Sequence, residues 1–343
     1  MNSRTILNTE DLLPLAARIP KVSVQLNLND KLGALKVRFG IGRDDYKVTP
    51  GLYKIGHPDS QSDVLISANY KLSFDMLRKN LGGMNLWILV VDTKGVNVWC
   101  AAGKGNFGTE NVAKSIKNAS LEDIVKHRRI IAPQLAASGI AAHKVKELTG
   151  FRVIFGPVLA KDIKSFFAAG YKATPEMRRV TFPINERAKL IPVDFMYGKY
   201  QMLIILASFF VLAGLDRTGF LFAKMVETGL YPMFNIICAY LAGIVLTPLF
   251  LPWIPLRPFA LKGTFLGLAI TILLNILFQM PFIESLSFGF INLSIASFMA
   301  MNFTGSSTFS SLSGVQKEMK WAIPFQIGFS AVGLILFILS KLI

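Results

Sequence analysis

The sequence predicts an α/β fold: a Rossmann-like, largely parallel sheet with helices on both faces over residues 1–195, then an all-α transmembrane domain of about five helices over 196–343. Two observations carry this. From residue 63, short apolar runs alternate with amphipathic stretches of about ten residues, the rhythm of βαβ units. The charge is also unevenly spread: of 37 Lys+Arg and 21 Asp+Glu, 29 and 17 precede residue 196, and the remainder of the chain is long blocks of Leu, Ile, Phe, Ala and Gly.

Taken in order, "KVSVQLNL" alternates as a strand does, within a basic N-terminal extension over residues 1–60. "DVLISANY" reads as a strand and "SFDMLRKNL" as a helix; "NLWILVVDT" is a continuous apolar run, as expected of a strand buried on both faces. "VNVWCAA" reads as a further strand and "TENVAKSIKN" as a helix, with "SLEDIVKH" a capped helix start. "RRIIAPQLAA" is strand and loop, "IAAHKVKELTG" a helix with a glycine stop, "FRVIFGPV" strand and loop, and "AKDIKSFFAAG" a helix. "TFPINERAKLIPVDF" is expected to close the domain with one or two strands.

Spanning a bilayer takes about 20 apolar residues per helix. The blocks at about 196–215, 229–251, 263–281, 286–303 and 321–341 meet that requirement. Connections near Arg257 and Lys262, and near Lys317 and Lys320, are basic, whereas those holding Asp216, Arg217, Lys224, Glu227 and then Glu284 are neutral or acidic. The positive-inside rule then places the N-terminal domain in the cytoplasm, on a multi-pass protein of the inner, cytoplasmic membrane. Tyr197, Tyr200, Trp253 and Trp321 sit near block ends, as interfacial aromatics do. Asn275 and Gln279, four apart in the third block, are expected to share a packing face, and "FTGSSTFSSLSG" falls on the cytoplasmic side.

Several classes are disfavoured. Cys100 and Cys238, the two cysteines, make neither a disulfide framework nor a four-ligand zinc site, and a lone membrane cysteine such as Cys238 is ordinarily a packing residue. "MNSRTILNTEDLLPL" lacks the basic start and apolar core of a signal peptide. Lysines and arginines are dispersed without an aromatic-interleaved patch, so no nucleic-acid partner is expected; membrane lipid is the simpler counterpart of the net charge of +16. A P-loop fails, because Gly105 follows Lys104 where Ser or Thr is required and Val98 holds the place of the first glycine.

In open α/β sheets, ligands bind outside the carboxyl ends of the strands. "CAAGKGNFGT", "APQLAASG" and "FGPV" are loops of small residues at three such ends. The first contains a literal G-x-G-x-x-G (Gly103, Gly105, Gly108), with Glu122 and Asp123 about twenty residues on, so a membrane-tethered dinucleotide-binding module is one reading. Cys100 is equally a small buried hydrophobe, a nucleophile or a soft metal ligand, its thiolate favoured by Lys104 and by the N–H groups of the helix after the glycine turn. His57, His127 and His143 lie in other segments with no motif around them.

"NVWCAAGKGNFGTE" closely resembles the cap-helix motif of the corrinoid protein of microbial mercury methylation, the HgcA family. The soluble domain of that family is similar to the corrinoid-binding domain of the corrinoid iron–sulfur protein of the acetyl-CoA pathway. Asn97, Trp99, Cys100, Gly103 and Lys104 match the motif one for one, and the resemblance continues through "ANYKLSFD", "APQLAASG", "GFRVIFGPVLAKDI", "YKATPEMRRVTFP" and "NFTGSSTFSSLSGVQKEM". Ser138 departs from it, standing where the family pattern has proline.

The resemblance implies a cobalamin-type corrinoid bound base-off, with Cys100 as lower axial ligand to cobalt and as the catalytic residue. The expected cofactor contacts are Asn97, Val98, Trp99, Cys100, Ala101, Ala102, Gly103, Lys104, Gly105, Phe107 and Thr109, with Gln134, Leu135, Gly139, Gly156, Pro157 and Val158 from the other two loops. The histidine ligation motif D-x-H-x-x-G is absent at all three histidines. The implied activity is methyl transfer from the corrinoid to Hg(II), and the implied partners are a ferredoxin-like iron–sulfur protein as reductant and a methyl-donating methyltransferase with a folate-type carrier. A corrinoid methyl carrier of one-carbon metabolism, with another acceptor, is the alternative.

Overall fold

The computed structural model describes residues 18–303 and 312–343. The chain divides into two compact units, Met1–Val37 with Ile41–Val180, and Arg38–Gly40 with Thr181–Ile343.

The first unit is built on a five-stranded sheet in the order β1-β3-β2-β4-β5, with β1 Gly51–Ile55, β2 Val64–Ala68, β3 Leu86–Val91, β4 Arg129–Ala132 and β5 Arg152–Phe155. β2 to β5 run parallel, and β1 pairs antiparallel with β3 from Gly51↔Val90 to Ile55↔Leu86. All six residues of β3 and all five of β2 are buried, as continuous apolar runs between two helical layers must be. On one face Val64, Ile66, Leu89 and Val91 pack under α4 (Thr109–Asn118) and α6 (Ala142–Thr149). On the other, Leu65, Ile88, Val90 and Ile131 pack with Phe74 of α2 (Lys71–Arg78) and Phe166 of α7 (Ile163–Ala168). The predicted architecture, helices on both faces of a mostly parallel sheet, is therefore the observed one. Gly150, at φ 77, ends α6 as the sequence predicts.

Several local expectations are corrected. "VNVWCAA" is not a strand: Val98–Gly103 forms a helix, α3, because Asn97 caps it and the alanines give it a buried side. "KVSVQLNL" makes one bridge, Lys21↔Lys54, although its alternation is real, since Val22 and Val24 pack on the core. Its last residue opens α1, Leu28–Arg38, a helix that alternation could not reveal, just as nothing in the pattern marks the antiparallel edge strand β1. The short helix α5 (Leu121–Ile124) starts at Ser120 with φ 43 and no side-chain cap bond.

In the second unit, "TFPINERAKLIPVDF" forms helices α8 (Ile184–Ala188) and α9 (Ile191–Tyr197) rather than strands. Pro183 opens α8, and the buried Arg187 donates to the carbonyls of Pro248 and Leu249. α10 (Lys199–Leu212) spans roughly 21 Å at 1.5 Å per residue, short of a bilayer by itself. It follows α9 across a 59° bend at Gly198. A two-residue hairpin (β6 Leu215–Asp216, β7 Gly219–Phe220) and α11 (Phe222–Thr228) lead to α12 (Leu230–Leu241), which continues through a π-helical turn, Ala242–Leu246, into α13 (Thr247–Phe250). α14 (Phe259–Phe278), α15 (Phe282–Asn302) and α16 (Leu312–Leu342) complete the bundle. Among the described residues, four helices are long and apolar enough to cross a membrane, or five if the bent pair is one span.

Gly263 and Gly267 let α14 close on α15: an added Cβ would collide with the Ala296 carbonyl at the first and stand 2.7 Å from the Asn292 carbonyl at the second. Buried Asn292 donates to Asn235 and Thr271 across helices, and Ser287 and Ser294 donate to carbonyls of α16. Asn275 donates to Ser285 of the next helix, but Gln279 is the exposed, left-handed end of α14 and shares no packing face with it. The central part of "FTGSSTFSSLSG" lies outside the described residues.

Candidate functional site

β2, β3, β4 and β5 all end at one edge of the sheet. The chain runs from β2 to β3 on one side, then returns past β2 to β4 on the other, so the topological switch point lies between β2 and β4. That crevice is where open α/β sheets accept ligands.

Asn69, immediately after β2 and 3% exposed, organises this edge. Its Oδ1 accepts from the backbone N–H of Thr93 (3.0 Å), the Thr93 hydroxyl (2.9 Å) and the N–H of Gly95 (2.9 Å), while its Nδ2 donates to Asp92 (3.1 Å). Lys94 and Gly95, both at positive φ, then turn the chain toward Asn97. Asn97 adopts extended backbone and accepts the Cys100 N–H on its Oδ1 at 2.9 Å, which nucleates α3. Thus Asn69, which in the sequence looks like one more residue of a strand, sets the path of the motif; a buried asparagine at a strand end was the available signal.

α3 packs against β2 and the turn Gln134–Ala136 that follows β4, so it lies across the switch point. Ala101 and Ala102 form its buried side; Trp99 and Cys100 are half-buried and Gly103 and Lys104 exposed. Gly103 and Lys104 fall three and four residues after Cys100 and share its face. A Cβ on Gly103 would meet nothing within 4 Å, so the ground beside Cys100 is open. At Gly139 the opposite holds: a Cβ would stand 2.7 Å from the Phe107 carbonyl and 3.0 Å from Ala102, which shows the loop after β4 seated on the back of α3.

The structure brings Asn97 to Lys104 together with Gln134, Leu135 and Gly139, but gives several expected contacts other work. Phe107 is fully buried in the core, its N–H donating to the Ala101 carbonyl, so it backs α3 rather than offering a wall to a ligand. Thr109 accepts the Ala141 N–H, and left-handed Gly105 (φ 80) turns the chain out of the helix. Gly156 and Pro157 are buried; a Cβ on Gly156 would meet Ile131 at 3.1 Å, inside the sheet layer. Val158 is half-buried and donates to the Met177 carbonyl. The dinucleotide reading loses its geometry, because Gly103 ends a helix and Gly108 starts the next, with no strand leading into the run. Cys100 also lies within the first turn of its own helix rather than before the helix that follows the glycines.

Among the described residues no three His, Cys, Asp or Glu side chains converge as a metal site. A metal at Cys100 would need its other ligands from outside the protein, as a tetrapyrrole-like ring brings them, and one soft sulfur beside open, small-residue ground fits that demand. Two clefts lie elsewhere: about 400 Å³ beside the edge strand β1, and about 500 Å³ lined by His127, Arg129, Arg152 and Lys172 near the amino ends of β4 and β5.

Residues 27–167 match the family described as CdhD, CO dehydrogenase/acetyl-CoA synthase delta subunit. The chain is 33% identical over 126 residues to the acetyl-CoA decarbonylase/synthase complex subunit gamma of Methanopyrus kandleri, covering 36% of this chain and 27% of that one. For the subunit gamma of Methanocaldococcus jannaschii the identity is 36% over 126 residues, 36% and 25% of the two chains. For the corrinoid/iron-sulfur protein large subunit of Moorella thermoacetica it is 32% over 125 residues, 36% and 28%. The matches thus span about a quarter of each relative's length. Residues 27–167 are thus similar to the CdhD family, to the gamma subunit of the acetyl-CoA decarbonylase/synthase complex and to the corrinoid/iron-sulfur protein large subunit.

Proposed function

We propose that this chain is a membrane-anchored, corrinoid-dependent methyltransferase in which Cys100 would hold the cobalt and Hg(II) would be the methyl acceptor. The observation that carries the reading is the half-exposed Cys100 on a short capped helix laid across the switch point, with open ground beside it at Gly103. The relatedness to a corrinoid/iron-sulfur protein supports the cofactor, and the motif shared with the HgcA family supports the acceptor.

The chain's own residues divide the work. Asn97 holds the Cys100 backbone, Ala101 and Ala102 anchor the helix beneath, and Gly139 locks the neighbouring loop to it. Half-buried Trp99 adds apolar surface to α3, and exposed Lys104 brings a positive charge one turn beyond Cys100 on the same face. A corrinoid held here would supply a transferable methyl group, and the soft, electron-donating sulfur of Cys100 would tune it toward an electrophilic acceptor such as Hg(II). Two cysteines are too few for a four-cysteine iron–sulfur cluster, so reduction between turnovers falls to a ferredoxin-like partner, and remethylation to a methyltransferase with a folate-type carrier. In this reading the basic α/β unit lies on the cytoplasmic side of the cytoplasmic membrane, an orientation that the positive-inside rule supports.

A second reading, a corrinoid methyl carrier of one-carbon metabolism, is favoured by the named relatives. One experiment separates the two. The full chain in detergent is loaded with cobalamin, and visible spectra of the wild type and Cys100→Ala are compared, followed by methylmercury formation with a chemical reductant and a methyl donor. A cobalt–sulfur spectrum and mercury methylation, both lost in the variant while cobalamin stays bound, are expected. Identical spectra with undiminished methylation would refute the ligand role; bound cobalamin without methylation in either protein would favour the carrier.

A further inference from the structure

The helix α1 is fastened to the α/β unit by its polar side. Asp30 lies inward, ion-paired to Lys71 at 2.6 Å and to Arg78 at 2.7 Å, both on α2, and Gly33 and Val37 complete the inner face, Gly33 against the Tyr46 ring. The outward side is apolar: Leu28, Leu32 and Leu35 are 69%, 46% and 53% exposed. A surface helix ordinarily does the reverse. At about 100° per residue these three side chains fall within an arc of roughly 60°. Lys31 flanks that arc on one side and Lys36 on the other. Every outward charge on the helix is positive, and acids first return at Asp44 and Asp45.

An apolar ridge bordered on both sides by long cationic side chains suits a bilayer surface. The leucines enter the acyl boundary while the lysines bury their stems and keep their charges at the headgroups. A protein partner of acidic character would satisfy the lysines but not three unshielded apolar side chains, and a second copy would bring like charges together. We propose that α1 is an in-plane membrane anchor that lays the α/β unit on an anionic lipid surface through Leu28, Leu32 and Leu35. This rests on the reading of the second unit as membrane-spanning, since those spans keep α1 within reach of lipid.

The test uses the full chain in lipid nanodiscs containing phosphatidylglycerol, with ordinary or brominated acyl chains, and the variant Leu35→Trp. Bromine quenches indole by contact. In wild type, Trp253 and Trp321 report on the second unit. The added emission of Leu35→Trp is expected to fall at least twofold in brominated anionic discs. It should recover when Lys31→Glu and Lys36→Glu are added, or when phosphatidylcholine alone is used. Quenching of the native tryptophans without quenching at position 35 overturns the anchor and leaves the spans standing. Absence of quenching in wild type overturns both. Equal quenching in neutral and anionic discs overturns the selection for anionic lipid, and an emission shift at position 35 that follows protein concentration instead of bromine assigns the ridge to a second copy.

Discussion

Replacing Asn69 by alanine removes the acceptor of two backbone donors, the N–H groups of Thr93 and Gly95. The Thr93 hydroxyl keeps the Val96 carbonyl as partner at 2.7 Å, so it is not orphaned. Thr93 is fully buried, and water does not reach it; an unmet buried donor costs about 1–3 kcal/mol. Gly95 is half-buried and partly recovers its bond to water, bringing the total to about 2–4 kcal/mol. Read as local opening, that is a roughly 30- to 1000-fold faster amide exchange at residues 93–95. Read globally, it is a fall in Tm of roughly 5–15 °C for a unit of this size. Hydrogen exchange by mass spectrometry on the full chain checks the first, and thermal unfolding the second. Because the clamp lies on the path to Asn97 and α3, the cobalt–sulfur spectrum should weaken as well. Asn69→Asp retains an acceptor but sets a carboxylate beside Asp92, so its destabilisation should grow as pH rises through the carboxylate range. Unchanged exchange at Thr93 and Gly95 together with a wild-type spectrum would refute the positioning role.

Glycine substitutions should separate packing from ligand space. Gly139→Ala forces a Cβ onto backbone atoms of Phe107 and Ala102 that cannot rotate away, costing about 1–3 kcal/mol in thermal unfolding, whereas Gly103→Ala should leave Tm unchanged and weaken only cobalamin binding. Acid should loosen the hold on α1. Burial by itself would raise the Asp30 carboxyl, but hydrogen bonds from Lys71 and Arg78 hold it at about 2 against 3.8. Its contribution, about 2 kcal/mol, is therefore full above pH 3.8 and lost as pH falls through 2, and an acid titration of unfolding should show that slope in wild type and lose it in Asp30→Asn. Gly263→Leu should part α14 from α15, since the Ala296 carbonyl leaves no room; a bundle with unchanged thermal stability in detergent would contradict that packing.

Much of the fold was legible because burial on both faces leaves no choice of residue. β2 and β3 must be apolar throughout, and the helices between strands must carry one apolar stripe, so the α/β rhythm and the apolar helices of the second unit stand in the composition itself. Short helices leave weaker traces. Val98–Gly103 has six residues, too few for a 3.6-residue period to show against an apolar run, and its cap on Asn97 is a single hydrogen bond. α1 escaped because its apolar stripe faces out and an ion cluster faces in, the inverse of the pattern that marks a surface helix.

The residues proposed to carry chemistry, Cys100 with Asn97, Gly103 and Lys104, were set out by the sequence alone, because they stand within eight positions of one another. Their division of labour was decided by the tertiary structure. Phe107 and Gly156 look from the sequence like lining of a ligand site, yet close packing of the sheet layer against the loops takes them into the interior. Asn69 looks like the end of a strand, yet its carboxamide governs the loop that presents Cys100, 31 positions further on. Hydrogen bonds between loops of different strands depend on which strands lie side by side, and that order, β1-β3-β2-β4-β5, is settled only when the chain folds.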